Sequence, residues 1–217
     1  MQSSKFVVSG NIGAGKTTFI QWLALFIGIT VYEEEADNNP LLPLFYENRE
    51  KWGFPMQVHM LRTRMATTRK LLKTEMGCAQ DRSVFEDGLF VEANHKLGTF
   101  HPLLYNEYKE LFALLTENLS YPDFFIYLRT DPENCAQRII KRGRECEKDI
   151  PLDYLKTLHV EYESFFEEKC KKVPVIVVNT AKLDIDTGDA CYKNLCEFID
   201  SLFQNQELVV GNPIIYN

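Results

Sequence analysis

Short apolar runs alternate with longer amphipathic segments along most of the chain. The apolar runs are typical of buried strands and lie at residues 5–9, 30–33, 78–82, 123–128 and 173–178. Between them apolar residues recur at helical spacing, which predicts helices at 16–28, 41–47, 52–76, 84–96, 102–118, 132–141, 152–171 and 189–204. Pro55 would then lie in the first turn of its helix, where proline is tolerated. Strands alternating with helices predict an α/β fold with a parallel sheet covered on both faces.

Length and charge narrow the class of protein. The chain has 217 residues and a formal net charge of −7, and 45% of its residues are hydrophobic. This length predicts a single domain over residues 1–217, or one domain with a small lid. Nucleic acid binding requires clustered positive charge, so we expect no nucleic acid partner. Small anionic ligands stay compatible with the charge, because a few local cations can hold them.

The cysteines and the N-terminal segment indicate a reducing compartment. The six cysteines include no CxxC pair, and no histidine pair stands at ligand spacing beside them. We therefore expect free thiols and no structural zinc site. The segment before Gly10 is too short for a signal sequence, and the longest apolar stretch, 22–29, is well short of a membrane span. The expected location is cytoplasmic, with no membrane partner.

Residues 10–17 read Gly-Asn-Ile-Gly-Ala-Gly-Lys-Thr and fit the pattern GxxxxGK[ST] in full. Glycines in such a loop let backbone N–H groups surround an anion, and the following helix adds its positive N-terminal end. Lys16 would reach the β- and γ-phosphates of a nucleotide, and the Thr17 hydroxyl would bind Mg²⁺. The candidate phosphate-binding residues are Gly10, Asn11, Gly13, Ala14, Gly15, Lys16, Thr17 and Thr18.

The loop alone indicates a nucleoside triphosphate but no particular reaction. GTPases also carry DxxG and NKxD motifs, and no aspartate of this chain has a glycine three residues later. Residues 179–184 resemble NKxD only distantly, with different spacing. A GTPase is therefore disfavoured.

Acidic and basic residues follow two of the predicted strands. Glu33, Glu34 and Glu35 stand at the end of the second strand, and Asp81 and Arg82 at the end of the third. Ligands of open α/β sheets bind beyond the carboxyl ends of strands, where a carboxylate can accept a proton from a substrate hydroxyl or hold Mg²⁺. A solvated acidic loop and a helix N-cap with a surface arginine are the alternatives for these two segments.

Two further charged sets lie on predicted helices. Arg138 and Arg142 share a helical face, and Arg144 follows the break at Gly143, an arrangement that suits a lid closing over transferring phosphates. A solvated basic face is the alternative. Arg64 and Asp87 each stand among apolar neighbours, so they would be paired, either to read a heterocycle edge or as a structural salt bridge.

Together these segments resemble the deoxyribonucleoside kinase family. The resemblance extends from Phe6 to about Asp184, and its spacings agree without gaps across 46–64 and 138–159. It rests on the phosphate loop, Glu34, Tyr46, Gln57, Arg64, the Asp81-Arg82-Ser83 motif, Asp87, the arginines of the lid, Ile150–Leu155 and His159. The family fold is a P-loop kinase three-layer fold, in which helices flank a five-stranded parallel sheet with an Arg-rich lid, here at about 142–150. Its members are usually homodimers.

The resemblance implies a role for each matched residue. Glu34 would take the proton of the substrate 5′-hydroxyl, and Arg82 would bind that hydroxyl and hold Glu34. Tyr46 and Glu147 would contact the sugar 3′-hydroxyl, and Gln57, Arg64 and Asp87 would read the base. ATP would be held by Lys16, Arg138, Arg142 and Arg144, and Mg²⁺ by Thr17 and Asp81.

Three positions depart from the family pattern. Glu35 stands where the family has proline, Cys146 replaces a lid carboxylate of some members, and Asn39 stands where several members place an aromatic residue beside the base. Residues 37–41 instead resemble the purine-specific bacterial branch. Because members that accept thymidine lack the charged pair of Arg64 and Asp87, we expect deoxyadenosine or deoxyguanosine as substrate, with deoxycytidine next.

Two other functions stay open from the sequence. A nucleoside monophosphate kinase shares the loop and an arginine lid, but its anionic acceptor calls for a basic pocket, whereas Glu34, Asp81 and Asp87 are expected around this acceptor. A non-catalytic nucleotide-binding module would need the loop without Glu34 or the lid arginines.

Overall fold

Six parallel strands form the centre of the molecule in a computed structural model that describes residues 4–34, 39–180, 189–204 and 207–217. In chain order the strands are β1 (Lys5–Gly10), β2 (Thr30–Tyr32), β3 (Cys78–Asp81), β4 (Phe124–Arg129), β5 (Val175–Asn179) and β6 (Ile214–Tyr216). Their order across the sheet is β2-β3-β1-β4-β5-β6. The central position of β1 places the loop that follows it between β3 and β4.

Helices cover both faces of the sheet. They are α1 (Lys16–Ile27), α2 (Leu42–Glu47), α3 (Arg49–Lys73), α4 (Asp87–Lys96), α5 (Pro102–Thr116), α6 (Pro132–Arg142), α7 (Leu152–Lys169) and α8 (Asp189–Gln204), with short 3-10 helices at Val84–Glu86 and Glu145–Glu147. Alternate residues of a strand point to opposite faces. Accordingly Phe6 and Val8 pack in a core with residues of α1, α6 and α8, and Val7 packs in a second core with residues of α3, α4 and α7. The predicted three-layer α/β arrangement is confirmed.

The expected count of five strands is wrong, because the C-terminal segment adds a sixth. Ile214–Tyr216 pairs in parallel with β5, in register Ile176↔Ile214. Three residues after Gly-Asn-Pro are too few to show the alternation that identifies a strand in sequence. These three residues form a strand because they pair with β5 at the edge of the sheet.

The placement of Pro55 in a first turn is also wrong. Helix α3 begins at Arg49, because the Asn48 side chain accepts a hydrogen bond from Lys51 N at 2.9 Å and caps the helix three residues earlier than predicted. Pro55 therefore lies inside the helix. There it removes one backbone donor, a cost that the 25-residue helix tolerates through its buried face.

The parallel sheet brings the ends of three strands to one edge. In the register of β1 with β3, Val8 pairs with Asp81, so Gly10 and Arg82 leave the sheet side by side. Glu34 follows β2 two residues after its end, beside β3. The candidate residues thus meet at the carboxyl edge, where α/β proteins bind ligands. Within the described ranges no helix is both long and apolar enough to cross a membrane.

Candidate active site

The phosphate loop has the backbone of an anion cradle. Gly13 and Gly15 have φ values of 78° and 90°, in the left-handed region that side chains disfavour. Helix α1 starts directly after Gly15. Lys16 is buried and donates a hydrogen bond to Asn11 O at 2.8 Å. Burial, together with the nearby Arg82 charge, lowers the pKa of Lys16 to about 8, so an arriving anion would restore the full charge of the ammonium group.

The side chain of Asn11 shapes the loop and does not face its centre. Its Nδ2 donates to Leu155 O at 2.8 Å, and its Oδ1 accepts from Ile12 N at 2.8 Å. The bond to Leu155 attaches the loop to α7, and the bond from Ile12 lies within the loop. We therefore expect the Asn11 side chain to support phosphate binding by fixing the conformation of the loop.

Thr17 connects the loop to the end of β3. Its hydroxyl donates to Asp81 Oδ2 at 2.6 Å. The other oxygen, Asp81 Oδ1, is buried and has no hydrogen-bond partner among the described residues. Burial raises the pKa of Asp81, which indicates that this carboxylate lacks full compensation by the surrounding protein groups.

Glu34 is held by two arginines from different elements. Arg64 of α3 donates through Nε at 2.9 Å and also through Nη2, and Arg82 donates through Nη1 at 3.1 Å. Burial opposes ionisation, but the two guanidinium groups outweigh it and lower the pKa of Glu34 to about 2. Arg82 reaches this position from a left-handed backbone with φ 59°, and its Nη2 donates to Gly10 O at 2.9 Å. Glu34, Arg82 and the phosphate loop are thereby joined.

Arg64 also forms a salt bridge with the fully buried Asp87. Burial raises the pKa of Asp87 to about 7, against the lowering effect of Arg64. In the part of the chain that the structure describes, its Oδ2 has no hydrogen-bond partner. The ring of Phe90 lies 5.2 Å from the Arg64 guanidinium carbon and 4.8 Å from that of Arg82, which fixes both arginines by cation–π contact.

One cavity contains most of the predicted site. Its lining includes these predicted residues: Gly13, Lys16, Thr17, Glu34, Tyr46, Gln57, Arg64, Asp81, Arg82, Arg142, Arg144 and Glu147. A second cavity on the other side of the loop is lined by Gly13, Gly15, Lys16, Thr17, Thr18, Arg138, Lys141, Arg142 and Arg144. The two cavities share Gly13, Lys16, Thr17, Arg142 and Arg144, so the loop and the two arginines separate them. Asp87 stands behind the first cavity, in contact with Arg64.

The lid arginines divide into two groups. Arg142 and Arg144 both bind Glu147, the latter at 3.3 Å, and all three residues line the first cavity. Arg138 instead lies along the loop, and donates to Ala14 O at 3.2 Å and to Thr180 O at 3.4 Å. Tyr46 lines the same cavity and is half-buried, and burial raises its pKa.

Sequence reasoning missed several residues that line the first cavity. They are Ile12, Leu42, Phe45, Met56, Met60, Phe90 and Tyr154, and Asn39 was noted only as a departure. Met60 lies between Gln57 and Arg64 on one face of α3, at helical spacings of three and four, and that spacing could have identified it. Tyr154 lies under Arg49, whose guanidinium carbon is 4.1 Å from the ring centroid. No sequence pattern joins residues so far apart along the chain.

A glycine-rich loop before a helix, a buried lysine, and a carboxylate with arginines across a shared cavity define a P-loop phosphotransferase with a small-molecule acceptor site. The family model for deoxynucleoside kinases matches residues 6–204. The chain belongs to the deoxynucleoside kinase family.

Named relatives agree with this assignment. The chain is 32% identical to the deoxyadenosine kinase of Dictyostelium discoideum, over 95% of this chain and 84% of that protein. It is 31% identical to the deoxyadenosine/deoxycytidine kinase of Bacillus subtilis, over 95% and 96% of the two chains. The structure superimposes on deoxyadenosine kinase from M. mycoides with bound dATP, at a TM-score of 0.80 and 28% identity, over 90% of this chain and 98% of that one.

Proposed function

We propose that this kinase transfers the γ-phosphoryl group of ATP to the 5′-hydroxyl of a purine deoxynucleoside. The observation that carries the proposal is the single cavity in which Lys16 and Thr17 face Glu34 and Arg82. A phosphoryl group must be in line between donor and acceptor oxygens, and this cavity has the donor loop on one side and the acidic end of β2 on the other. The deoxyadenosine kinases among the relatives support the choice of substrate.

Glu34 and Arg82 are the proposed catalytic residues. With a pKa of about 2, Glu34 is ionised at all physiological pH values and is a weak base. The transition state of phosphoryl transfer is loose and needs little proton removal before bond cleavage. Glu34 would therefore act first by accepting a hydrogen bond that aligns the 5′-hydroxyl, and take its proton late in the transfer.

The phosphates of ATP would lie across the loop between the two cavities. Backbone N–H groups of residues 13–18 and the start of α1 favour negative charge there. Lys16, Arg142 and Arg144 line both cavities, so they can contact the phosphoryl group before and after transfer. Arg138 borders only the donor side, where it would contact the phosphates of ATP.

Thr17 and Asp81 fit a magnesium ion. The unpartnered, buried Oδ1 of Asp81 is a hard oxygen ligand, and the Thr17 hydroxyl lies beside it. Within the described residues no cluster of three or more acidic, histidine or cysteine ligands forms, which suits an ion that takes its other ligands from phosphates and water. When bound, Mg²⁺ would neutralise charge on the phosphates.

Arg64 and Asp87 would select the base. Asp87 in its ionised form accepts a hydrogen bond from an exocyclic amino group, and Arg64 donates to a ring nitrogen or oxygen. Gln57 lines the same cavity as Arg64 and would also bind the edge of the base. Thymine has no amino group and would leave Asp87 Oδ2 without a hydrogen-bond donor, a penalty of about 1–3 kcal/mol for a buried polar atom.

A panel of acceptors tests the proposal. Purified enzyme with radiolabelled ATP and Mg²⁺ is offered deoxyadenosine, deoxyguanosine, deoxycytidine, thymidine and the corresponding monophosphates. We expect the purine deoxynucleosides to give the highest kcat/KM, and Lys16→Ala to abolish transfer to all of them. Preference for thymidine would overturn the base assignment, and preference for a monophosphate would identify a nucleoside monophosphate kinase. ATP binding without any transfer would identify a binding module.

We also propose that the enzyme is a homodimer in the cytoplasm, as the family resemblance implies. Light scattering of the purified chain tests the assembly, and a mass of about 25.2 kDa would identify a monomer.

A further inference from the structure

Glu86 is a fully buried acid to which the proposed transfer reaction assigns no role. It is 0% exposed, and the described lining of the first cavity includes Arg82 but not Glu86. An ionisable group with no access to solvent must be balanced by its neighbours. The identity of those neighbours therefore indicates what the side chain does.

Donors from three separate elements surround the Glu86 carboxylate. Its Oε1 accepts from Ser9 Oγ at 2.6 Å and from Ser83 N at 3.0 Å. Its Oε2 accepts from the Tyr162 hydroxyl at 3.0 Å and lies 3.8 Å from Arg82 Nε. One side chain thus connects the end of β1, the turn after β3 and helix α7.

Two of these contacts adjoin residues of the candidate active site. Ser9 precedes Gly10, whose carbonyl accepts from Arg82 Nη2 at 2.9 Å, and Ser83 follows Arg82 directly. Arg82 is the one non-glycine residue with positive φ in the described part of the chain. A backbone of this kind persists only where its surroundings hold it. Glu86 accepts a hydrogen bond from Ser83 N, the amide that follows Arg82, and also faces the Arg82 side chain. It therefore constrains both the backbone and the side chain of Arg82.

Arg82 consequently lies between two carboxylates. Its Nη1 donates to Glu34 on the cavity side, and its Nε faces Glu86 behind the cavity. The Phe90 ring covers the guanidinium group from a third direction. The attraction of Glu86 opposes movement of this side chain toward the cavity.

We propose that Glu86 is a positioning residue for the transfer step, a buried carboxylate that fixes Arg82 in the orientation that holds Glu34 at the phosphate loop. The inference rests on the proposed function, because Arg82 and Glu34 are the catalytic residues of that proposal. Glu86 does not line the first cavity, so its effect on the transfer step would pass through Arg82.

A double-mutant cycle tests this role. Glu86→Gln keeps the size of the side chain but replaces one accepting oxygen with a donor. We expect kcat to fall about tenfold or more, with KM for ATP unchanged within about twofold, because only the alignment of Arg82 is lost. In an Arg82→Lys background, the same substitution should lower kcat by less than about twofold, since the residue it positions is absent. A merely structural role would lower kcat by the same factor in both backgrounds.

Tyr162→Phe gives a milder version of the test. It removes one donor to Glu86 and should lower kcat about threefold in the wild-type background, the loss expected of one hydrogen bond. Tyr127→Phe is the matched control, since Tyr127 is equally buried and its hydroxyl donates to Glu163 at 2.7 Å. That variant should leave kcat unchanged.

Full activity of Glu86→Gln, or equal losses in the two backgrounds, would overturn the inference. Should Glu86→Gln fail to fold, Tyr162→Phe measured in the wild-type and Arg82→Lys backgrounds decides between a positioning role and a merely structural role. An inactive wild-type enzyme would instead refute the proposed function, which the acceptor panel reveals before any variant is made.

Discussion

Arg64 binds Glu34 and thereby connects the proposed base-recognition side of the cavity to its proposed catalytic side. The guanidinium group donates to Glu34 through Nε at 2.9 Å and contacts Asp87 through Nη1. Sequence reasoning assigned Arg64 and Asp87 to the base and Glu34 to the reaction, as separate groups. In the folded chain a base that drew Arg64 toward itself would also change the charge that Glu34 experiences, so we expect base identity and hydroxyl activation to be coupled.

Replacing Glu34 tests the catalytic role. Glu34→Gln keeps the side-chain shape and removes the charge, and we expect kcat to fall about 10²–10⁴-fold, the contribution of positioned proton transfer. Glu33→Gln is the matched control, because Glu33 is exposed and hydrogen-bonds only to Gln21 among the described contacts. Steady-state transfer of radiolabel measures both. An unchanged kcat in Glu34→Gln would exclude the role.

The pH dependence of deoxyadenosine use should report Asp87. Its pKa is about 7, and the ionised form accepts the stronger hydrogen bond from the amino group. As pH falls below about 7, Asp87 gains a proton and kcat/KM should decrease, by at most about tenfold per pH unit, since this ratio follows the free enzyme. Asp87→Asn should remove that inflection and lower kcat/KM throughout. A wild-type kcat/KM that stays constant between about pH 5 and about pH 8 would contradict the assignment of this pH dependence to Asp87.

Removing the unpartnered oxygen of Asp81 should weaken magnesium binding. Asp81→Asn keeps an acceptor for the Thr17 hydroxyl but removes the negative charge, so we expect the Mg²⁺ concentration for half-maximal rate to rise about tenfold. Asp123→Asn is the control, since Asp123 precedes β4 at the opposite edge of the sheet. Magnesium titrations at fixed ATP compare the two, and equal half-maximal concentrations in wild type and Asp81→Asn would be evidence against this site.

Glu147 should contribute to sugar binding and to lid closure. Glu147→Gln weakens the contacts of Arg142 and Arg144, and we expect KM for the deoxynucleoside to rise about tenfold, with a smaller change in kcat. The control is Glu145→Gln, because Glu145 is exposed and pairs only with Lys148 among the described contacts. A nucleoside that lacks the 3′-hydroxyl separates the two roles. If that analogue is affected as strongly as deoxyadenosine, Glu147 acts on the lid and not on the sugar.

Gly13 should tolerate no side chain. A Cβ there would lie 2.5 Å from Cys135 O on α6, and the φ of 78° adds its own strain. We expect Gly13→Ala to cost about 1–2 kcal/mol for the left-handed backbone and about 1–3 kcal/mol for the contact. Gly28→Ala isolates the first effect, because φ there is 71° and a Cβ would meet nothing within 4 Å. Chemical denaturation compares the two, and equal losses of unfolding free energy would show that the contact with α6 relaxes freely.

The order of strands and helices could be predicted because the evidence for it is local. Apolar runs, helical periodicity and the phosphate loop each occupy a few consecutive residues, and their alternation implies a parallel sheet. The start of α3 and the strand at Ile214–Tyr216 were missed, because one depends on a side-chain cap and the other on a neighbouring strand. Both are contacts that a hydrophobic pattern does not contain.

By itself, the sequence determined which chemical groups this protein has available and at which strand ends they stand. The family resemblance singled them out as a set, and most of them line one cavity. The sequence predicted the pair of Arg64 with Asp87. Only the tertiary structure decided that Arg64 also binds Glu34, that Thr17 binds Asp81 and that Glu86 lies behind Arg82. Electrostatic and hydrogen-bond partners are set by distances across the sheet edge, between residues 30 to 77 positions apart in some cases, such as Glu34 with Arg64 and Ser9 with Glu86. Those distances exist only once the strands have been brought together.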